Sequence, residues 1–595
     1  MSQLINDFVI NIATINGSGS QTANTILLKS FFRMGLPVGA KNFFPSNIQG
    51  MPTWFRIRVN QNGFTGHHPK SDILINLNPK TLSQDIALLA SGALFIYDQD
   101  MLMDGLDLSH LTTFAIPYKK LIQDLNIPIK YRKFTLSMVY VGFLSELLKI
   151  ESEILQQAVQ DHFEKNLNAV ELNIKAISAG ANYYRENYSA FISPFQCKTI
   201  TTSKKRVLMD GNTAAGMGLV YGGCHFVSWY PITPSTSVVE SFKNLVIPNS
   251  QDSDSKPVII QAEDELSAIC MVLGAGWSGA RALTATSGPG LSLMAEASGY
   301  AFYAEIPAVI WDVQRVGPST GLPTRTAQGD LLFAHFLSHG DSRHVCLIPG
   351  NLKESFEFAQ TCFDLAETLQ TLVIVLSDLD LGMNIWAEEK WNYPTSNYQR
   401  GQIISKQQLD AGAVFERYND LNKDGIPART LPGTHHEKAA YFTRGSGHDL
   451  KANYTENPQA YRQVLDRLDR KWETARTLVP KPIISTSKNS VGIIYFGPLD
   501  EVVSEAQYLL KNISFDTCRV RALPFNNDIK KFLETHKTIY VIDQNQTAQM
   551  KALLSIEFTE LATHLKSIRN YDGQPLSASI LVKAIQEDSN DHTTI

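Results

Sequence analysis

Four short apolar runs, "VIIQA" (258–262), "RALTATS" (281–287), "AVIWDV" (308–313) and "LVIVLSDL" (372–379), alternate with stretches of helical pattern. Each is too short for a helix and too continuously apolar for a strand with one wet face. Such runs suit strands of a parallel sheet covered on both faces, which needs a helix between successive strands. The pattern therefore commits the middle of the chain to an α/β domain.

The same signal occurs twice more. "FVINIATINGSGSQTANTILLKSFFRMG" (8–35) reads as strand, glycine turn and amphipathic helix. A long helical pattern follows from about Leu147, "LLKIESEILQQAVQDHFEKNLNAVELNIKAISAGANYY", and closes that first unit. Strands and helices alternate again from "SVGIIYFG" to "KTIYVIDQN" near the C-terminus. Residues 386–485 are polar and proline-rich, with one charged helix, "NPQAYRQVLDRLDRKWETART", and read as a long surface connection. The expected organisation is a multidomain α/β protein: 1–195, 205–385, the connection 386–485, and 486–595. A length of 595 residues is too great for one core and fits this division.

A net charge of −5 leaves no global basic field for nucleic acid. "MSQLINDFVI" lacks the charged and apolar regions of a secretory leader, and "MVYVGFL" is too short to span a bilayer. A soluble, cytoplasmic protein is expected. The six cysteines, at 197, 224, 270, 346, 362 and 518, form no C-x-x-C pair. They read as small buried hydrophobes rather than disulfide, metal or cluster ligands.

"NGSGSQTA" (16–23) places Gly17, Gly19 and Gln21 between a strand and a helix. Such a loop turns backbone N–H groups and a helix N-terminus toward a phosphate. An NAD ribose would want an acidic residue about twenty positions on. None stands between Asp7 and Asp72, whereas Lys29, Arg33, Lys41, Arg56, Arg58 and Lys70 do. The stretch reads either as a phosphorylated-ligand site, coenzyme A for example, or as a basic surface around an ordinary tight turn.

Glu265 opens a helix whose next turns are small or apolar: Ala268, Ile269, Met271, Val272, Gly274 and Ala275. A carboxylate is favoured at that helix end. The pattern implies a buried helix that other backbone approaches closely. Glu263 and Asp264 are competing carboxylates. After the strand "RALTATS" comes "SGPG", read as a turn whose N–H groups make an oxygen-binding concavity around Ser287, Gly288 and Gly290. In "WYPITPSTS" (229–237), Pro231 and Pro234 stiffen the chain around Ile232 and Thr233, with Ser235 or Ser237 as cap of the next helix.

The spacing Glu-Leu-x-Ala-x-x-x-x-Gly at 265–274 resembles the glutamate helix of thiamine-diphosphate enzymes. The ordered blocks "YPITPSTSVVESF", "QAEDELSA", "TATSGPGLSLMAEA", "AEIPAVIWDVQRVGPSTGLPTRTAQGDL" and "HGD" resemble the α subunit of 2-oxoacid:ferredoxin oxidoreductases with a γ-like domain fused at the N-terminus, most often 2-oxoglutarate enzymes. "IQGMPTWFRIRV" resembles the γ domain. "LPGT", "RGSGHD" and "DRLDRKWETAR" resemble the connecting region, and "VRALPF" and "VIDQN" a transketolase-C-terminal-like domain.

The resemblance implies oxidative decarboxylation of a 2-oxoacid, with coenzyme A taking the acyl group and electrons passing singly to a [4Fe–4S] cluster and then to ferredoxin. By that likeness Glu265 bonds N1′ of the cofactor's aminopyrimidine, and Pro231, Ile232, Ser287, Gly288 and Gly290 line the cofactor. Thr233 and Arg315 of "DVQR" hold the substrate carboxylate. Gly17, Gly19 and Gln21 are the coenzyme A candidates.

No Gly-Asp-Gly motif for the diphosphate and no cluster-spaced cysteines stand in the chain. The implied partner is a β subunit that brings the Mg²⁺ and [4Fe–4S] sites in an (αβ)₂ assembly; no metal ligand is expected in this chain. Departures from the family pattern are Ser20 and Thr22 in the first loop, Gln49-Gly50-Met51, Gly211-Asn212-Thr213-Ala214, Thr326-Ala327-Gln328 and Asp543-Gln544-Asn545. Those in the γ-like domain weaken the coenzyme A assignment there and leave Glu265, Thr233 and Arg315 untouched. Two other classes stay open: a thiamine-dependent carboligase of the transketolase kind, and a non-catalytic assembly subunit.

Overall fold

A computed structural model describes residues 3–45, 50–164, 166–249, 256–394 and 397–591. Of the departures above, Gln49 lies outside the described residues.

Three principal sheets carry the chain, and each is α/β. The first has six strands in the order Val38–Phe43, Pro52–Asn60, Asp7–Ile15, Ser71–Asn76, Leu89–Asp98 and Thr112–Ile116. The last four of these run parallel, while Pro52–Asn60 is antiparallel to both its neighbours. The glycine loop joins Asp7–Ile15 to the helix Ser20–Arg33, as the sequence pattern requires. The long helical pattern does not make one helix. It falls into Met138–Leu148, Ser152–Phe163 and Leu167–Tyr188. Left-handed backbone at Lys149 ends the first, and a positive φ of 38° at Glu164 ends the second.

The second sheet runs Val258–Gln261, Phe226–Trp229, Ala282–Thr286, Ala308–Gln314, Leu372–Asp378, Val345–Leu347 and Ala522–Leu523. The first six strands are parallel, in accord with their apolar runs. "VIIQA" is the exception in burial: it is the edge strand and is largely exposed. The seventh strand comes from the C-terminal region and is antiparallel. The third sheet, Ile483–Ser485, Asp516–Val520, Val491–Phe496, Thr538–Asp543 and Leu565–Arg569, shares a hydrophobic core with the second through Phe496, Leu523, Ile374 and Ile310.

Residues 386–485 differ from the expected surface connection. Trp386–Glu389 pairs antiparallel with Arg206–Met209, so a hairpin-like ladder crosses the boundary placed at 385. The charged helix spans Pro458–Leu478 and buries Arg467 and Lys471. Arg467 Nη1 and Nη2 donate to Glu305 at 2.9 and 2.6 Å, and Lys471 Nζ donates to the same carboxylate at 2.7 Å. The sequence disguised this contact because charge in a helix ordinarily signals solvent.

Buried ion pairs also tie the sheets to one another. Arg58 makes a two-pronged pair with Glu505 at 2.5 and 2.8 Å. Lys41 reaches Asp380 at 2.6 Å, and Arg519 grips Glu354 at 2.6 and 2.9 Å. Five cysteines are buried, and Cys270 is exposed. Among the described residues no helix is long and apolar enough to cross a membrane.

Candidate active site

Glu265 is the first residue of the helix Glu265–Trp277 and is 6% exposed. Its two rivals are occupied. Asp264 is the N-cap and accepts from the Ser267 N–H at 2.8 Å, while Glu263 accepts from the Ser267 hydroxyl at 2.7 Å. Among the described residues no donor reaches the Glu265 carboxylate. The carboxylate's hydrogen-bonding capacity is therefore open to a ligand.

The helix is half as buried as its small residues imply. Ala268, Ile269, Val272 and Gly276 face the core, while Leu266, Cys270 and Met271 are exposed and nothing lies against Gly274. The close approach occurs at Gly276 instead: a Cβ there would stand 1.9 Å from the Pro307 carbonyl.

The segment "SGPG" is not a turn preceding a helix. Gly288 and Pro289 are its first residues, the helix spans Gly288–Leu293, and Ser287 is its extended N-cap. The Ser287 hydroxyl is buried with no partner. At Gly290 a Cβ would lie 2.1 Å from Thr286 Oγ1 and 2.8 Å from Glu265 Oε1. A side chain at 290 would displace Thr286, Glu265 or the backbone between them. The Gly288 position is bounded by Asp330, whose Oδ2 would be 2.8 Å from an added Cβ.

Pro231 is exposed, and Ile232 and Thr233 are half-buried. The Ile232 carbonyl accepts from the Ser235 and Thr236 N–H groups and from both their hydroxyls. The helix begins at Thr236. Ser235 thus bonds backward instead of capping. Ser237 Oγ accepts from Asn212 Nδ2, which also donates to the Pro234 carbonyl at 2.9 Å. Asn212, from one of the departing blocks, is therefore the side chain that fixes this turn.

Arg315 follows the strand Ala308–Gln314 and is 7% exposed. Its Nη1 donates to the Thr233 backbone carbonyl at 2.6 Å, and its Nε has no partner. Thr233 and Arg315, 82 positions apart in sequence, do meet, through main chain rather than hydroxyl. Among the described residues the Thr233 hydroxyl has no partner.

Two carboxylates in this region escaped the sequence reading. Asp312 is fully buried, and among the described residues neither of its oxygens has a hydrogen-bond partner. Burial and the neighbouring Asp330 hold it well above the ordinary carboxyl range, against the pull of Arg315. Asp330 is pushed up to about 6 by burial, again opposed by Arg315. An acidic residue inside the apolar strand "AVIWDV" was the available signal.

Arg315 and Asp330 open on a cavity of about 720 Å³ between the second sheet and the C-terminal region. Gln544, Asn545, Gln546 and Gln549 form its far wall. The departing blocks lock that wall in place: Asn545 Nδ2 donates to the Gln328 carbonyl at 2.9 Å, and Gln328 N–H to the Gln544 carbonyl at 2.9 Å.

The first glycine loop stands apart from this centre. Gly17 and Gly19 have φ of 83° and 85°, the left-handed region that favours glycine. Ser20 Oγ lies 2.8 Å from Thr14 Oγ1, so the serine that departs from the family pattern ties the loop to its strand. Gln21 is exposed, and Gly19 borders a separate pocket of about 300 Å³ with Phe134 and Asn166. The basic, acid-free face expected of this stretch does not exist as such. Arg33, Lys41 and Arg58 are paired with Asp161, Asp380 and Glu505, all from outside it. Arg56 alone of the buried cations there has no carboxylate within ion-pair distance among the described residues, and it lines a further cleft of about 400 Å³ with His67 and Arg325.

Comparison with known proteins bears on this arrangement. Residues 217–444 match the family described as pyruvate flavodoxin/ferredoxin oxidoreductase, thiamine diP-bdg, and residues 9–183 match pyruvate ferredoxin/flavodoxin oxidoreductase. The chain is 30% identical over 449 residues to a 2-oxoacid:ferredoxin oxidoreductase α subunit of Aeropyrum pernix, covering 67% of this chain and 69% of that one. The chain belongs to the 2-oxoacid:ferredoxin oxidoreductase α-subunit family. A Sulfurisphaera tokodaii α subunit is 27% identical over 631 residues, 96% of each chain. The solved 2-oxoglutarate:ferredoxin oxidoreductase from Magnetococcus marinus, with 2-oxoglutarate, coenzyme A and succinyl-CoA bound, superposes with a TM-score of 0.87 at 27% identity, over 98% of this chain and 99% of that one. The γ-like, thiamine-diphosphate-binding and C-terminal α/β parts expected from sequence therefore stand in a family whose members are oxidoreductases acting on 2-oxoacids.

Proposed function

We propose that this chain is the γ–α fused subunit of a complex that oxidatively decarboxylates 2-oxoglutarate, with coenzyme A, to succinyl-CoA, CO₂ and reduced ferredoxin. The observation that carries the reading is Glu265, a largely buried residue whose carboxylate has no hydrogen-bond partner among the described residues and lies against Gly290. Pro231, Ile232, Ser287, Gly288 and Gly290 would surround the aminopyrimidine half of thiamine diphosphate; the Ser287 hydroxyl without a partner among the described residues and the glycine at 290 against Glu265 support this. When bound, that cofactor supplies a carbon nucleophile for the 2-oxo group and an electron sink for decarboxylation. Glu265 holds a proton between its carboxylate and ring nitrogen N1′.

Arg315 orients the substrate. With Nη1 fixed on the Thr233 carbonyl, its Nε–Nη2 edge is left as a planar fork for a carboxylate, and the Thr233 hydroxyl adds one oriented donor. A β subunit carries the diphosphate, Mg²⁺ and [4Fe–4S] sites in an (αβ)₂ assembly in the cytoplasm, and the loop of Gly17, Gly19 and Gln21 contributes to coenzyme A. The division 1–195, 205–385, 386–485 and 486–595 follows these roles, except that Trp386–Glu389 pairs with the second unit.

The test is viologen reduction by the chain co-expressed with its β subunit, across 2-oxoglutarate, pyruvate, branched and aromatic 2-oxoacids. Turnover that needs both chains and disappears in Glu265→Ala supports the reading. Unchanged turnover in that variant, or robust turnover by this chain alone, refutes it.

A further inference from the structure

Arg315 and Asp330 are the sole cation and the sole carboxylate lining the 720 Å³ cavity among the described residues. The rest of the lining is small, amide or hydroxyl in character apart from Phe333, Pro289, Pro318 and Val316. Asp330 presses against Gly288, its Oδ2 is buried without a partner, and its own N–H is fixed by Gln314 Oε1 at 3.0 Å. Asp312, on the strand beneath, is wholly enclosed and has no hydrogen bond on either oxygen. Arg315 and Asp330 thus share one cavity, with no ion pair between them among the described residues, and Asp312 lies close enough to feel the same cation.

We infer that binding of the 2-oxoacid carboxylate at Arg315 draws one proton onto Asp330. The inference rests on the reading above that Arg315 takes that carboxylate. In the free site Arg315 is the influence that favours the ionised form of Asp330. An incoming carboxylate claims that cation and adds a like charge beside Asp330. Both changes disfavour ionisation, so its affinity for a proton rises on binding.

The other titratable groups do not compensate. Burial holds the Asp312 carboxyl well above its ordinary range, and Cys346, on Val345–Leu347 across the intervening strand Leu372–Asp378, has its thiol pushed up chiefly by burial. Glu265 lies beyond Gly290, toward the cofactor. The C-terminal wall offers amides and the exposed Tyr571 phenol.

The direction with pH follows. Asp330 in the free site is protonated below about 6 and ionised above it. Between that value and the higher one in the bound site, association takes up a proton and weakens as pH rises.

The experiment uses the reconstituted α–β complex. It is titrated calorimetrically at pH 7 with the 2-hydroxy analogue of the oxoacid that it turns over, in two buffers of different ionisation enthalpy. Expected is a net proton uptake in the wild type and none in Asp330→Asn. In turnover, KM for the oxoacid should rise with pH above about 6, by at most about tenfold per unit, and be flat in that variant. Absence of uptake in the wild type overturns the inference, as does equal uptake in Asp330→Asn. Should that variant fail to assemble, the wild-type titration decides alone. A complex that turns over no 2-oxoacid refutes the functional reading instead, and so is told apart from failure of this one.

Discussion

The guanidinium of Arg315 hangs on the backbone carbonyl of Thr233, Nη1 to oxygen at 2.6 Å. A strand end and a proline-bracketed turn from different parts of the sheet are thereby joined by one bond. The bond spends one edge of the guanidinium and aims the other.

Arg315→Lys should keep the charge and lose the fork. A lysine cannot serve the carbonyl and present two parallel donors together. KM for the oxoacid should rise by about tenfold or more, the worth of a charge-assisted hydrogen bond (~1.5–3 kcal/mol). Steady-state kinetics of the co-expressed complex checks this, and an unchanged KM would remove Arg315 from the substrate site.

Thr233→Val separates main chain from side chain. The carbonyl that holds Arg315 survives, so the arginine stays in place. Only the free hydroxyl is lost, worth ~1 kcal/mol or about fivefold in KM. Cofactor affinity, followed by calorimetry, should not move. A loss as large as that of Arg315→Lys would mean that the turn itself had collapsed.

How far these contacts could be read in advance depended on whether the signal was local. The place of Glu265 at the start of a partly buried helix was legible because its neighbours and its glycine spacing are local; Asp264 caps that helix, and Glu263 accepts from the Ser267 hydroxyl. The α/β nature of all three sheets was legible because period and apolar runs are short-range properties. Asp312 and Asp330 were missed because what makes them unusual, buried oxygens without partners among the described residues, is set by tertiary packing and not by local sequence. The basic stretch misled for the same reason, since the carboxylates that neutralise Lys41 and Arg58 are hundreds of positions away. So did the charged helix Pro458–Leu478, whose counter-ion Glu305 belongs to another layer.

Gly290→Ala tests the cradle around Glu265. Its methyl would sit 2.1 Å from Thr286 Oγ1 and 2.8 Å from Glu265 Oε1, and one of the three must move. Overpacking of this kind costs ~1–3 kcal/mol of stability. If the glutamate moves, turnover falls toward that of Glu265→Gln, for which a loss of ~10²–10⁴-fold is expected of a displaced acid–base group. A variant that melts lower yet turns over normally would show that the threonine gives way and that the carboxylate has room.

The buried triad of Glu305, Arg467 and Lys471 should govern acid stability. Burial by itself would raise the Glu305 carboxyl, but Arg467 and Lys471 overcome this and hold it at about 2, against 4.5 for a free side chain. A carboxyl depressed on folding stabilises the protein fully above its unfolded value, and that contribution drains away as pH falls through the folded one. The window is therefore about 4.5 down to about 2. Glu305→Gln leaves two cations buried without their counter-charge, which costs ~3–5 kcal/mol at neutral pH. Denaturant midpoints taken across pH should be lower in the variant above 4.5 and converge on the wild type as pH falls toward 2. Parallel curves would show that the carboxylate's charge does not hold the Pro458–Leu478 helix to the core.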